Sequence, residues 1–284
     1  FQLKEDENMP NKVLYRWKRG VGMLLAASML LSGCTAAGVM PAAADAVSSE
    51  NSVQTAESSV EQTGEIGSLA LLWIVDADHT LPRTYAPEDL TDIGNGLCLA
   101  GEAAEAYISL QRSLDIDGGD KLQPVAGYCS WEEQEQRLEE RKQAYLEQGY
   151  DEDKAATFAS YDCGVLGSDP FQTGLYLRIE TPQAETKEWL AEHAGEYGFI
   201  LYEEENAWVL QYVGRLHAAA MEQLGVDFAG YMKYLHTYKS CVVILDSVTY
   251  TVEMIDDLSL LSGSFLEIYG DNQGAYVVVR MQEE

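Results

Sequence analysis

The sequence predicts an α+β fold: a small antiparallel sheet with flanking helices, followed by a short all-β C-terminal appendage. Three observations carry this. Leu175, Leu177 and Ile179 alternate with Tyr176, Arg178 and Glu180, and a period of two puts one set in a core and the other on the opposite face. Several segments between 101 and 238 have helical character, one of them opened by a Ser-x-x-Glu box. From Cys241 onward the texture changes to apolar, β-branched runs broken by Asp-Ser and by Gly-Asp-Asn-Gln-Gly, as two hairpins would be.

The elements are expected in the following order. The compact apolar run SLALLWIVDA reads as a first strand, and the Asp- and Pro-rich DADHTLPRTYAPEDL after it as an irregular surface segment. In GEAAEAYISLQRSL, Ala103, Tyr107 and Leu110 fall near one helical face. LQPVAGY is a short strand candidate. Ser130 and Glu133 then mark the start of a helix from about Trp131 to Gln148, closed by Gly149, because each side chain can satisfy a free N–H at the first turn. DEDKAATFASY is a further helix, TGLYLRIE a strand, and TKEWLAEHAGEYG a helix ending at Gly198. FILY and AWVLQYV are two strands joined by the acidic EEENA, and GRLHAAAMEQLG and DFAGYMKYLHTY two helices.

The first residues bear on compartment. Lys12, Arg16, Lys18 and Arg19 precede an apolar run from Val21 to Leu31, too short to span a bilayer, and then LSGC ends at Cys34. This order of parts is that of an export signal, and the small Ser32 and Gly33 before Cys34 are similar to a bacterial lipoprotein signal, which makes Cys34 the expected lipidation site. Residues 1–33 are therefore expected to be a signal peptide, with Met9 as initiator and residues 1–8 upstream of the true start. Residues 34–68, rich in Ala, Ser, Thr and Glu, read as a flexible tether, since they cannot bury enough surface to offset their ordering entropy. A core domain is expected over 69–240 and the β-rich extension over 241–284. The expected location is the membrane, lipid-anchored on the extracytoplasmic face.

The formal net charge is −29, and removal of residues 1–33 would take five basic and three acidic residues, leaving the remainder still more acidic. Such a surface excludes nucleic acid as a partner and a charge-driven grip on anionic polymers. Cys98, Cys129, Cys163 and Cys241 are separated by 31, 34 and 78 residues, which offers no C-x-x-C zinc pair. Disulfides in any of three pairings, or free buried thiols, fit this spacing.

Four stretches then fall into a recognisable order: LLWIVDADHTLPRTYAP, GYCSWEEQ, GSDPFQTGLYLRI and WLAEHAGEYGFILY with AWVLQYVG. Over about residues 69–240 the chain resembles the VanY-like D-alanyl-D-alanine carboxypeptidases, zinc enzymes that trim peptidoglycan stem peptides. The resemblance implies a catalytic zinc held by three protein ligands, a water activated by a carboxylate, and an arginine for the substrate's terminal carboxylate. Aligned on Gln172-Thr173-Gly174, the family's His and Asp ligands fall on Phe171 and Arg178. Aligned on Tyr212-Val213-Gly214, the third ligand falls on Val209 and the base on Asn206, while the carboxylate arginine falls on Cys129.

All five chemical positions are substituted, so neither catalysis nor a bound zinc is expected: Phe171 and Val209 have no donor atoms, and Arg178 puts a cation where the metal cation would sit. A slip of one residue would bring Glu205 toward the base position without restoring a metal. His79, His193, His217 and His236 show no paired spacing, and Cys129 has no evident base to make it a nucleophile. Gln134, Gln172, Thr173, Tyr176 and Arg178 are the ligand-binding candidates. Arg178 either holds a carboxylate of a stem peptide or pairs with a local acid such as Asp169. The chain is thus expected to be a non-catalytic envelope protein that binds stem peptide or a protein partner. The alternatives are a peptidase with a rebuilt site, and a structural protein whose filled cleft completes the core.

Overall fold

The computed structural model describes residues 65–66, 70–204 and 206–282. The expected signal peptide, Cys34 and nearly all of the expected tether lie outside the described residues. The central sheet has four strands, β4 (Pro124–Ala126), β5 (Tyr176–Glu180), β7 (Ala207–Tyr212) and β6 (Phe199–Glu203), antiparallel in the order β4-β5-β7-β6. A second sheet of five strands has the order β1-β10-β11-β9-β8, formed by β1 (Glu65–Ile66), β8 (Ser240–Leu245), β9 (Val248–Ile255), β10 (Glu267–Gly270) and β11 (Tyr276–Met281). A two-stranded hairpin, β2 (Leu90–Gly94) and β3 (Leu97–Ala100), precedes the first helix. The architecture is α+β, as the patterning predicts.

Six helices accompany these sheets among the described residues: α1 (Gly101–Ile116), α2 (Trp131–Glu147), α3 (Glu152–Cys163), α4 (Ala184–His193), α5 (Arg215–Leu224) and α6 (Phe228–Tyr238). None of them is long and apolar enough to cross a membrane. The α1 face expected from the sequence is the buried one, with Ala103, Tyr107 and Leu110 all inside. At the start of α2 the capping box is complete: Ser130 accepts from the Glu133 N–H, and Glu133 accepts from the Ser130 N–H. Such caps stabilise a helix by about 0.5–2 kcal/mol.

Register in the central sheet follows from its inner row, where Leu177 pairs with Leu210 and Leu210 with Leu201. These residues join one continuous core with α1, α5, α6 and the inward residues of the C-terminal sheet, including Val243, Val252 and Val277. The β8–β9 turn uses Asp246 and Ser247 at φ of 51° and 66°, the left-handed pair that a two-residue hairpin of matching twist requires. On the outer edge, the Gln223 side chain bonds both the N–H and the C=O of Ile244 and so blocks part of the free edge of β8.

One local expectation fails. SLALLWIVDA is not a strand: residues 70–72 form a turn and 73–75 run irregularly, although Leu71 and Leu72 are fully buried. An apolar run reports burial, which a core-packed turn satisfies as well as a strand does. The backbone there is held by a side chain instead, since Asn272 accepts from the Ile74 N–H and donates to its C=O. The hairpin at 90–100 adds an element for which the sequence carried no expectation, and Gly94-Asn95-Gly96 supplies three consecutive residues with positive φ at its turn.

Candidate functional site

A short 3-10 turn, Pro170–Thr173, leads into β5 and organises the site. The Asp169 carboxylate accepts from the Phe171 N–H, and the Thr173 hydroxyl donates to the Pro170 carbonyl while accepting from the Leu175 N–H. Gly174 follows at φ +72°, where an added Cβ would lie 3.0 Å from the Ala100 nitrogen. Asp169, Thr173 and Gly174 therefore serve the backbone path, which sets Phe171 at the mouth of the sheet.

One row across three strands forms the floor of the site. Arg178 on β5 pairs with Val209 on β7, which pairs with Tyr202 on β6. The Arg178 guanidinium lies 4.8 Å from the centre of the Phe171 ring, and that ring is 5.8 Å from Tyr176. The structure thus brings together Phe171, Arg178 and Val209, three of the positions that the resemblance implies are substituted. Beside them is an open pocket of about 190 Å³, lined by Phe171, Tyr176, Tyr202, Glu204 and Val209 among others. Burial raises the Tyr176 hydroxyl above its ordinary pKa, so it stays protonated.

The sequence left Arg178 between a ligand carboxylate and a local acid such as Asp169; the acid it meets is Glu204. Arg178 donates from Nε and Nη2 to the two carboxylate oxygens of Glu204 at 2.8 and 3.0 Å, a fork-to-fork pair at the β6–β7 connection. Asp169 instead receives Arg137 of α2 at 2.6 Å. Neither Arg137 nor Glu204 was singled out from sequence. The spacing from Gln134 to Arg137 was the available signal for the former, because residues three apart share a helix face.

Cys129 adjoins Phe171, and the other candidates lie elsewhere. Cys129 takes the Arg137 Nη2 at 2.9 Å, and its N–H reaches the Phe171 carbonyl. Burial pushes its thiol up in pKa, against the pull of Arg137, which removes the thiolate a nucleophile needs. Asn206 is exposed on the β6–β7 connection, and Glu205 lies outside the described residues. Gln134 does not line the pocket: it is fully buried, accepting from the Gly167 N–H and donating to the carbonyl of Val165. Gln172 is buried with no partner for either amide atom among the described residues. The cysteines at 98, 129, 163 and 241 are all free thiols.

No protein-family model and no curated protein matches the sequence. Among solved structures, the vancomycin-resistance D,D-dipeptidase VanXYg, in complex with a D-Ala-D-Ala phosphinate analogue, aligns with a TM-score of 0.58. The alignment covers 75% of this chain and 94% of that enzyme at 15% identity. The fold is that of the VanY-like D,D-peptidases. A vancomycin-resistance VanY D,D-pentapeptidase in complex with Zn(II) aligns over 57% of this chain and 98% of its own, with 24% identity and a TM-score of 0.45. The LD-carboxypeptidase LdcB aligns over 57% and 86%, with 22% identity and a TM-score of 0.47.

The residues present do not fit the zinc of a VanY-like site. At the positions that the resemblance assigns to the zinc ligands, Phe171 and Val209 offer no donor, and Arg178 brings a cation already bound to Glu204. Among the described residues, no group of three or more His, Cys, Asp and Glu side chains is placed to hold a metal. Each histidine has a private partner: His79 with Asp76, His193 with Glu196, His217 with Tyr231 and His236 with Asp271.

Proposed function

We propose that this protein is a non-catalytic binding protein of the bacterial envelope, built on a D-Ala-D-Ala carboxypeptidase-like scaffold and holding a peptidoglycan stem peptide in the cleft beside β5. The observation that carries this reading is the row Arg178–Val209–Tyr202 with Phe171 over it. Its chemistry leaves no ligand set for a catalytic metal, yet a pocket of about 190 Å³ remains against it. A protein whose cleft merely completes the core has no reason to keep that space open. The pocket is smaller than the roughly 300 Å³ at the low end of small-molecule sites, which suits one side chain or terminus of a peptide. Lipidation of Cys34, with residues 34–68 as tether, would hold the domain at the extracytoplasmic face.

Two measurements test this. Titration of the full chain with Nα-acetyl-Lys-D-Ala-D-Ala, followed by calorimetry, is expected to give saturable binding that Tyr202→Ala weakens. Absence of binding at millimolar peptide would remove the stem-peptide ligand and leave a protein partner as the reading to pursue. Metabolic lipid labelling of cells is expected to mark the wild-type chain and not Cys34→Ala; equal labelling of both would remove the proposed anchor.

A further inference from the structure

We infer that the pocket beside β5 is a site for a primary alkylammonium, and that it takes the lysine side chain of a peptide with the charged end against Glu204. The inference rests on the binding-protein reading above and names the part of the peptide that enters the pocket.

The walls and the charge of the pocket point the same way. Of the described residues that line it, Phe171, Tyr176 and Tyr202 carry aromatic rings, Glu203 and Glu204 are acids, and none is basic. The Phe171 and Tyr176 rings are inclined at 45°, so they present a corner and not a flat wall. The faces of such rings carry partial negative charge and attract a cation. A lysine side chain has the matching form, four methylenes to lie against the rings and Val209, and a charged tip that seeks a carboxylate. Arg178 and Glu204 cancel each other, and Glu203 then leaves the lining with an excess of negative charge. Glu203 shares a face of β6 with Leu201, so it adds field and not contact. In a chain of net charge −29, a ligand carboxylate is repelled from this place and an ammonium is drawn to it.

The chain's own cation shows that these groups can hold a positive charge. The Arg178 guanidinium lies over the Phe171 ring while it donates to both oxygens of Glu204, an aromatic face and a carboxylate acting on one cation. That pairing does not exhaust the site, because Arg178 is not among the described residues that line the pocket. A carboxylate has about four lone-pair positions. Arg178 takes one on each oxygen of Glu204, and among the described residues nothing else donates to them. The Glu204 side chain is 34% exposed, so the remaining acceptors can be reached. An ammonium, with three donors on a compact head, can use them without displacing Arg178.

The test compares, by calorimetry on the full chain, Nα-acetyl-Lys-D-Ala-D-Ala with the peptide in which norleucine replaces lysine and only the ammonium is lost. Wild type is expected to bind the lysine peptide about tenfold or more tightly, the order of one charge-assisted hydrogen bond with a cation–π contact. The margin should shrink as added salt screens it. Substitutions at the two ends of one ion pair should act in opposite directions. Glu204→Gln is expected to reduce the preference for lysine to less than about twofold, since it removes the carboxylate and leaves Arg178 unpaired. Arg178→Gln, which frees the whole carboxylate and removes a like charge, is expected to tighten the lysine peptide by about threefold. Both residues are partly exposed, and circular dichroism checks that the variants fold.

Binding of the norleucine peptide as tightly as the lysine peptide would overturn the inference while the stem-peptide reading stands, because the pocket would then be an apolar one. Weakening by Arg178→Gln with tightening by Glu204→Gln would overturn it in favour of an anion site. Equal weakening by both would overturn it too, since the ion pair would then only shape the pocket. If Nα-acetyl-Lys-L-Ala-L-Ala bound as tightly as the D,D peptide with the lysine preference intact, the ammonium site would stand and the stem-peptide reading would fall. If no peptide bound, both would fall.

Discussion

Two adjacent rows of the central sheet, one residue apart, have followed different rules. Leu177, Leu210 and Leu201 form the inward row and lie in or against the core. Arg178, Val209 and Tyr202 form the outward row, with a bidentate ion pair, an aromatic ring and a pocket around them. A slip of one residue would exchange the rows, so the leucines hold the register and the outward row inherits its geometry. That separation lets the chemistry of a cleft be replaced without disturbing the fold: the scaffold needs apolar volume inward and asks little of the residues facing the cleft.

The comparison can be broken by mutation, most strongly at the inward row. Leu210→Ala should cost about 2–5 kcal/mol in urea unfolding, since the side chain is fully buried. A loss below about 1 kcal/mol would mean that the row does not hold the register. Gln134→Ala should cost about 1–3 kcal/mol, because it strips the buried Gly167 N–H of its partner inside the protein. A variant with wild-type stability and altered ligand binding would return Gln134 to the cleft.

A third prediction concerns pH. Burial lowers the His217 pKa to about 4 from its ordinary 6.5, so the unfolded chain binds the proton more readily than the folded one. This group's contribution is complete above pH 6.5 and is lost as pH falls toward 4, by about 1.5 kcal/mol at pH 5.5. His217→Gln should flatten the stability difference between pH 7.5 and pH 5.5 by that amount; an unchanged slope would mean that the ring is protonated when buried. The smallest effect is expected in the outward row itself. Arg178→Gln should change stability by only about 0–1 kcal/mol, as a partly exposed pair does. A cost comparable with that of Leu210→Ala would erase the distinction between the rows.

What could be read from sequence follows the same division. The alternation over 175–180, the Ser130–Glu133 box and the Asp246-Ser247 turn are local signals, and each corresponds to the element found. The gathering of Phe171, Arg178 and Val209 was legible only through the family resemblance, because it depends on strand pairing across some thirty residues. Which local acid pairs with Arg178 was open in the sequence, because the β6–β7 hairpin, and not proximity along the chain, brings Glu204 to it. Gln134 was a groove candidate through the resemblance, whose polar groove position it matches, but burial turned its amide toward the 163–167 backbone. Arg137 has no local signature apart from its helix face, and its pairing with Asp169 emerges only once the 3-10 turn fixes that carboxylate.

The central claim, a peptidase scaffold whose metal site has been replaced, is tested most directly by D-alanine release from a stem pentapeptide. The full chain, shown by circular dichroism to be folded, would be incubated with added zinc and, in parallel, with chelator. No release above the chelated control is the expected result. Chelator-sensitive release would contradict the claim and would mean that this chain builds a metal site from residues other than Phe171, Arg178 and Val209.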